Sequence, residues 1–363
     1  MTRPAIYFAI TAHGFGHAVR AASVAEAVRQ LDPEIQLFLV TTAPRWLLEA
    51  YIQGDYIHRP RALDVGVIQA DSLTMDQGAT LAELRRLGDR RAALIASEAD
   101  FIRTNRISLV LADIPPLAAP IAAAAGVPCW MMSNFGWDFI YRDWGGEFWA
   151  IADQLSQDYQ QCDRLFRLPL HEPMSAFPHL EDTGLTGGHP GFPLEYLRAT
   201  FQLTAPPERT VLLSFGGLGL QKIPYNVVKD FPDWLFISFD TKAPALPNLR
   251  RIEDRRYRPV DFMPLCNRVI SKPGYSTFSE ALRLGLPIVS LTREGFAESP
   301  LLLAGIQDYS EHQLLTPAEF FQGSWDFLNR APDPPRQATR LPTDGTECIA
   351  RIIVNALHTA LGK

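Results

Sequence analysis

Cysteine is scarce in this chain. Its 363 residues include four, Cys129, Cys162, Cys266 and Cys348, far apart and without a CxxC pair, which argues against a zinc knot or a disulfide framework and fits a reducing, cytoplasmic setting. No apolar stretch reaches the roughly 18 residues of a membrane span. The apolar opening IYFAIT is too short for the core of a signal peptide and reads as a first strand. Basic blocks are missing as well: 34 Lys and Arg stand against 40 Asp and Glu, a net charge of −6, so a broad nucleic-acid footprint is not expected. There is no Asp-x-Asp pair of the kind that holds a divalent cation, and no metal is expected. The glycine-rich segments match neither GxxxxGK[ST] nor GxGxxG, which speaks against a Walker loop and a dinucleotide fingerprint.

The length points to about two domains, and the balance of 47% apolar and 20% charged residues is that of an ordinary globular protein. Short apolar runs alternate with helix-like segments: IYFAIT (6–11), IQLFLVT (35–41), ISLVLAD (107–113) and CWMMSN (129–134). Such alternation implies βαβ units on a parallel sheet. From 168 to 208 proline and glycine interrupt any period. A second series follows with TVLLSF (210–215), WLFISF (234–239), RVIS (268–271) and PIVSL (287–291), and the tail 346–361 carries apolar positions at helical spacing. The expected architecture is α/β, with a Rossmann-like domain over 1–185, a linker over 186–208, a second Rossmann-like domain over 209–345 and a closing helix over 346–363. Ligands of parallel sheets sit at the carboxyl ends of strands, so an interdomain cleft is expected where two such domains face each other.

Several motifs fall at those strand ends. HGFGHAVR (13–20) turns from the first strand into a helix as GxGHxxR. His17 there offers an imidazole that titrates near neutrality and accepts a proton from a hydroxyl; the alternative is a His13 or His17 that caps the helix or braces the turn. Asp113 ends LVLAD, where it either orients His17 or caps a helix at the following prolines. SNFGWDFIYRDW (133–144) sets Asn134 and Asp138 among aromatics, a mixture suited to stacking on a sugar or to plain packing. FGGLG (215–219) places Gly216 and Gly217 where backbone N–H groups can approach a diphosphate or simply turn the chain. In SKPGYSTFSEAL (271–282) a helix starts after Gly274, with Tyr275, Ser276 and Thr277 in its anion-attracting first turn. Glu280 follows one turn later, in reach either of ribose hydroxyls or of Thr277 in a capping box. Arg293, Glu294 and Glu298 come after the next strand, at the sugar or in solvent.

HGFGH and KPGYSTFSEAL together resemble the signature regions of GT-B glycosyltransferases, the peptidoglycan GlcNAc transferase and plant UDP-glycosyltransferases among them, with the same Gly-to-Glu spacing of six. HGFGHAVR, VIQADSLTMD (67–76), NFGWDFIY (134–141), FGG (215–217) and KPGYSTFSEALRLGLPIV with REGFAESP further resemble the glycosyltransferase-like N-terminal half of plant L-arabinokinases, from the first strand to about residue 355. The kinase half of those proteins, with its own ATP loop, has no counterpart in these 363 residues, so sugar-kinase activity is not implied. The resemblance implies a GT-B fold with an acceptor-side first domain and a nucleotide-sugar-binding second domain. It assigns His17 as base, Asp113 as its partner, and His13, Gly14, Asn134 and Asp138 to the acceptor side. Gly216, Gly217, Gly274, Tyr275, Ser276 and Thr277 surround the diphosphate, Glu280 binds the ribose and Glu298 contacts the donor sugar. The implied activity is inverting, metal-independent transfer from a nucleotide-diphosphate sugar, most simply a UDP-sugar, to an acceptor hydroxyl, with no further cofactor. Two departures, GGLG in place of GGSxG and Tyr275-Ser276 in place of a small-then-apolar pair, set the chain apart from the bacterial transferase. A nucleotide-sugar 2-epimerase-like enzyme and a non-catalytic sugar-nucleotide-binding module are the rival readings. Acceptor identity, donor sugar and base, catalytic competence, oligomeric state and peripheral membrane contact are left open.

Overall fold

The computed structural model describes residues 3–11, 13–69, 73–216, 220, 223–360 and 362. The chain divides into two compact units: 1–69, 75–187 and 342–363 form the first, and 188–341 with the short 70–74 stretch form the second.

The first unit runs β1 (Ala5–Ile10), α1 (Gly16–Leu31), β2 (Gln36–Val40), α2 (Arg45–Tyr51), β3 (Ile57–Arg59), α3 (Gln77–Thr104), β4 (Leu109–Asp113), α4 (Ala118–Ala125), β5 (Cys129–Ser133), α5 (Trp137–Trp144), α6 (Phe148–Tyr159), β6 (Arg164–Arg167) and β7 (Leu180–Asp182). Its seven strands are all parallel, in the order β3-β2-β1-β4-β5-β6-β7. Every residue of β1 and β4 is buried, as both-face coverage of a parallel sheet requires.

The second unit holds α7 (Leu194–Phe201), β8 (Thr210–Ser214), β9 (Leu235–Ser238), β10 (Leu249–Arg251), α8 (Pro259–Phe262), β11 (Arg268–Ser271), α9 (Tyr275–Leu284), β12 (Ile288–Leu291), α10 (Glu298–Tyr309), β13 (His312–Leu315) and α11 (Pro317–Gln322). Its six parallel strands follow the order β10-β9-β8-β11-β12-β13. Phe236, Ile270, Val289, Phe320 and Trp325 anchor the core on one side of this sheet, and Leu73 packs against it.

The last helix, α12 (Gly345–Ala360), returns to the first unit and lies along α1, burying Ile349, Ile353, Val354 and Leu357. Two boundaries therefore differ from the sequence expectation. The stretch expected as a linker over 186–208 contains α7 and belongs, from Gly188 on, to the second unit, because Leu197 is fully buried. The second unit closes at Leu341 instead of 345, since the chain from Pro342 pairs with Leu185 of the first unit. In both sheets the strand order reverses direction beside the first strand, between β1 and β4 and between β8 and β11. A crevice opens at such a switch point, outside the carboxyl ends of the strands.

Candidate functional site

In the first unit the switch point is held by register: Ile10 pairs with Asp113, and the Thr11 N–H donates to the Asp113 carbonyl at 2.8 Å. Gly14 turns the chain in the left-handed region at φ 65°, which lets α1 start three residues after His13. His17 therefore stands in the first turn of α1 and Asp113 at the tip of β4. The His17 Nδ1 and Asp113 Oδ1 are 2.7 Å apart, and both side chains are buried. Arg20, one turn further along α1 and 1% exposed, grips the same carboxylate: Nε donates to Oδ2 at 2.5 Å and Nη2 to Oδ1 at 2.6 Å. Nη1 donates to Asn134 Oδ1 at 2.8 Å and Nη2 to Ser133 Oγ at 3.0 Å.

Burial alone would push the Asp113 carboxyl up. Arg20 and His17 outweigh it and hold the group below the usual carboxylate range. Arg20 Nη2 also lies 3.0 Å from His17 Nδ1, but the ionised Asp113, which only accepts, is closer at 2.7 Å and suits the tautomer that carries its proton on Nδ1. This is the arrangement of a general base with its tautomer fixed from behind. No Asp113 side-chain cap starts a helix; α4 begins at N-cap Leu117 without one.

The rest of the acceptor-side set is placed less uniformly. His13 braces the 67 segment, its Nδ1 3.0 Å from the Val67 carbonyl, and its ring meets Trp137 edge-on at 5.2 Å. Asn134 is fully buried and supports Arg20 through its amide oxygen, because a buried guanidinium needs acceptors for its remaining N–H groups. Asp138 turns inward and takes the Ser156 hydroxyl at 2.8 Å. Asp138 Oδ1 is buried without a hydrogen-bond partner among the described residues. Trp137, 1% exposed, packs between Phe135, Tyr141 and His17, with ring centroids 5.1, 5.9 and 6.1 Å away.

Two residues here escaped the sequence reading. Arg20 carries a signal, its i+3 spacing from His17 on one helix face. Asp64 carries none, being a lone carboxylate in the loop ALDVG. Its Oδ2 accepts from Thr11 Oγ1 and, at 3.1 Å, from Trp137 Nε1. Burial pushes the Asp64 carboxyl up to about 6, against the downward pull of Thr11, His17 and Trp137.

In the second unit the switch point lies between Ser214 and Ser271, which are register partners. After β8 comes Gly216 at φ 72°; Gly217 lies outside the described residues. After β11, Gly274 is the N-cap of α9 and supplies no side-chain cap, so the first turn, with Tyr275 and Ser276 buried and Thr277 half-buried, ends toward the strand tips. Lys272 is the residue missed here. Its stem passes Gly216, with Cε 3.8 Å from where a Cβ on that glycine would stand. Burial, helped by the neighbouring Arg293 and opposed by Glu298, pulls its amine down to about 8. Arg293 is buried with its guanidinium over Phe296 at 4.4 Å, Glu298 is the buried first residue of α10, and Glu294 is exposed. Two cations and an uncapped helix start thus converge at the tips of β8, β11 and β12, an arrangement suited to an anion.

Glu280 makes no capping box. It is 3% exposed and its Oε1 accepts the Gly188 N–H at 3.0 Å. Burial pushes its carboxyl up to about 7, with the Gly188 N–H, Arg258 and Arg283 pulling the other way. Among the described residues no helix is long and apolar enough to cross a membrane, and no group of three His, Cys, Asp or Glu side chains could hold a metal ion.

Two doubly wound parallel sheets make up the GT-B fold, the fold of many glycosyltransferases. Solved structures of that kind align over the whole chain: a kitacinnamycin glycotransferase with a TM-score of 0.61 at 15% identity, covering 98% of this chain and 100% of that one, and UDP-glucose: anthocyanidin 3-O-glucosyltransferase in complex with UDP with 0.61 at 10%, covering 99% and 95%. A putative UDP-N-acetylglucosamine 2-epimerase from Listeria monocytogenes aligns with a TM-score of 0.58 at 14% identity, covering 100% and 97%. Within this fold the chain is similar to L-arabinokinase of Arabidopsis thaliana, 31% identical over 336 residues, or 89% of this chain. It spans about a third (31%) of that protein's length. No protein-family model matches the chain.

Proposed function

We propose that the protein is an inverting, metal-independent glycosyltransferase that moves a sugar from a nucleotide-diphosphate sugar, with UDP as the nucleotide, to an acceptor hydroxyl. The observation that carries this reading is the His17–Asp113–Arg20 cluster at the first switch point. His17 Nε2 takes the acceptor's proton as the acceptor oxygen attacks the anomeric carbon, and the bond from that carbon to the diphosphate oxygen breaks, its electron pair leaving with the nucleotide. A single displacement inverts the anomeric centre. Asp113, kept ionised by Arg20, steadies the imidazolium that forms.

Lys272, Arg293 and the start of α9 neutralise the departing diphosphate, a fixed electrostatic role that serves where a metal otherwise would. Gly216 and Gly274 let backbone approach the phosphates, with Gly217 assigned to the same loop by sequence, Ser276 and Thr277 offer hydroxyls, Tyr275 adjoins them, and Glu280 takes the ribose hydroxyls. Glu298 meets the donor sugar. Calorimetry with UDP tests the nucleotide half: binding to the unmutated chain is expected, and no binding of UDP or any UDP-sugar counts against it.

An epimerase reading has one observation in its favour, a second carboxylate, Asp64, held by Thr11 and Trp137 beside the strand end that carries the His17 cluster, together with the fold shared with the Listeria protein. Incubation with a UDP-sugar and no acceptor separates the two. An epimerised sugar nucleotide is the outcome under that reading, and slow release of UDP and free sugar the outcome under transfer.

A further inference from the structure

The long helix α3 is fastened at its two ends and little packed between them. At one end the Ile68 N–H donates to Thr80 Oγ1 at 3.0 Å, and at the other the fully buried Glu98 takes the Tyr7 hydroxyl at 2.8 Å. From 81 to 97 no residue of α3 is buried, and even Leu87 and Leu94 are only half-covered. A helix over a sheet normally turns its apolar stripe onto the core. Here Leu87 and Leu94 line a cleft of about 780 Å³, walled on its other side by residues of the chain between Pro60 and Ile68. That volume lies within the roughly 300–1,000 Å³ of ligand sites. The helix wall runs from Glu83 through Leu87, Arg90 and Leu94 to Ser97, one face of α3, and is about 21 Å long at roughly 1.5 Å per residue. The cleft is a slot.

Its two ends differ in character. Ile68, tied to Thr80, stands by the first turns of α3, whereas Arg61, with Nε 3.0 Å from Glu98 Oε1, stands by the last. Positive charge is in excess at the Arg61 end. Against its burial, Arg59, Tyr7 and Arg61 hold the Glu98 carboxyl below the usual range, so one carboxylate faces two guanidiniums, Arg59 at 2.7 and 2.9 Å and Arg61. Arg90, midway along the slot, donates to the Arg86 carbonyl at 3.3 Å and has no carboxylate partner among the described residues. The acidic groups of the lining are already engaged, Glu83 by Arg86 and Asp64 by Thr11 and Trp137.

We propose that this slot binds a free single-chain amphiphile with an anionic head, of the fatty-acid kind, its head between Arg61 and Arg90 and its chain along Leu94, Leu87 and Val65 toward Ile68. Two guanidiniums without a full complement of carboxylates match the head, and the apolar stripe that α3 leaves uncovered matches the chain. An extended peptide would strand backbone N–H and C=O groups against Pro60, Ala62, Val65 and Leu94, which a hydrocarbon chain does not. None of His17, Asp113 and Arg20 lines the slot. The ligand is therefore not the acceptor, and the site stands whichever reaction the His17 centre performs.

Calorimetric titration of the full chain with octanoate, decanoate and decyltrimethylammonium, each below its micelle concentration, tests chain and head separately. Decanoate is expected to bind about fifteenfold tighter than octanoate, about fourfold for each added methylene. It should also bind at least about tenfold tighter than the cation that carries the same chain. Arg90→Gln should weaken decanoate at least about fivefold and leave decyltrimethylammonium no weaker. Ala93→Trp, at an exposed helix position on the slot wall, should weaken octanoate and decanoate alike, by at least about tenfold. Absence of decanoate binding, equal or tighter binding of the cation, or unchanged decanoate affinity in either variant would overturn the assignment. Sedimentation with phosphatidylglycerol vesicles separates a free chain from a bilayer. The protein is expected to stay in the supernatant, and retention that Arg90→Gln abolishes would overturn the free-chain occupant.

Discussion

Arg20 neutralises Asp113 and thereby frees that carboxylate to hold His17 in one tautomer. Both groups are almost without solvent, so removing the guanidinium leaves a buried charge shared only with an imidazole. Arg20→Met is expected to destabilise the first unit by about 3–5 kcal/mol, read from denaturant unfolding. Asp113→Asn keeps the shape, presents Arg20 with a poorer acceptor and releases the tautomer; turnover should fall at least about a hundredfold while UDP affinity stays within twofold. At the other cluster Lys272 is charged below about pH 8 and neutral above it. UDP affinity should therefore hold steady up to that pH and weaken as it rises further. Lys272→Met should lower affinity at pH 7 by about tenfold and remove that part of the pH dependence, both measurable by titration calorimetry.

At the scale of elements, the eight apolar runs that become β1, β2, β4, β5, β8, β9, β11 and β12 are legible because each is buried on both faces and so reads as a continuous hydrophobic stretch. The remaining strands lie toward the sheet margins and are short: IHR, RLFR, LED, LRR and HQLL. Runs of three or four residues that include charged or polar side chains are too short for periodicity to separate them from loops. His17, Asp113 and the Gly274–Glu280 turn are legible for a related reason, as each directly ends a strong strand or opens a strong helix. Asp64 sits in an aperiodic loop and is brought to His17 only by tertiary contacts through Thr11 and Trp137. The contacts of Asn134 with Arg20 and of Asp138 with Ser156 were not legible, because sequence shows a polar residue among aromatics and not the buried guanidinium or hydroxyl beside it.

The return of α12 to the first unit depends on a close backbone approach. Leu185 N–H donates to the Pro342 carbonyl at 2.8 Å and Gly345 N–H to the Leu185 carbonyl at 3.1 Å. A Cβ on Gly345 would stand 2.0 Å from the Gly184 carbonyl oxygen. Gly345→Ala therefore forces the two segments apart and is expected to cost at least about 2 kcal/mol in thermal or chemical unfolding.

For the molecule as a whole, the buried carboxyls tie stability to pH. Glu280 titrates near 7 when folded and near its ordinary value when unfolded, so between those values the folded state binds the extra proton. Its contribution is favourable below about pH 4.5 and is lost as pH rises to about 7, at a limiting slope of about 1.4 kcal/mol per unit. Glu280→Gln retains an acceptor for the Gly188 N–H and should flatten this slope. Comparing the two chains in denaturant at pH 5 and pH 7 isolates the effect, with the unmutated protein expected to lose about 2 kcal/mol more over that interval.

The most direct measurement pairs UDP calorimetry with turnover of UDP-sugars in His17→Ala. The account predicts that UDP binds this variant within twofold of the unmutated chain, while consumption of the UDP-sugar falls at least a hundredfold. Turnover that persists without the imidazole, or UDP affinity that disappears along with it, would contradict the assignment of base and nucleotide to separate switch points.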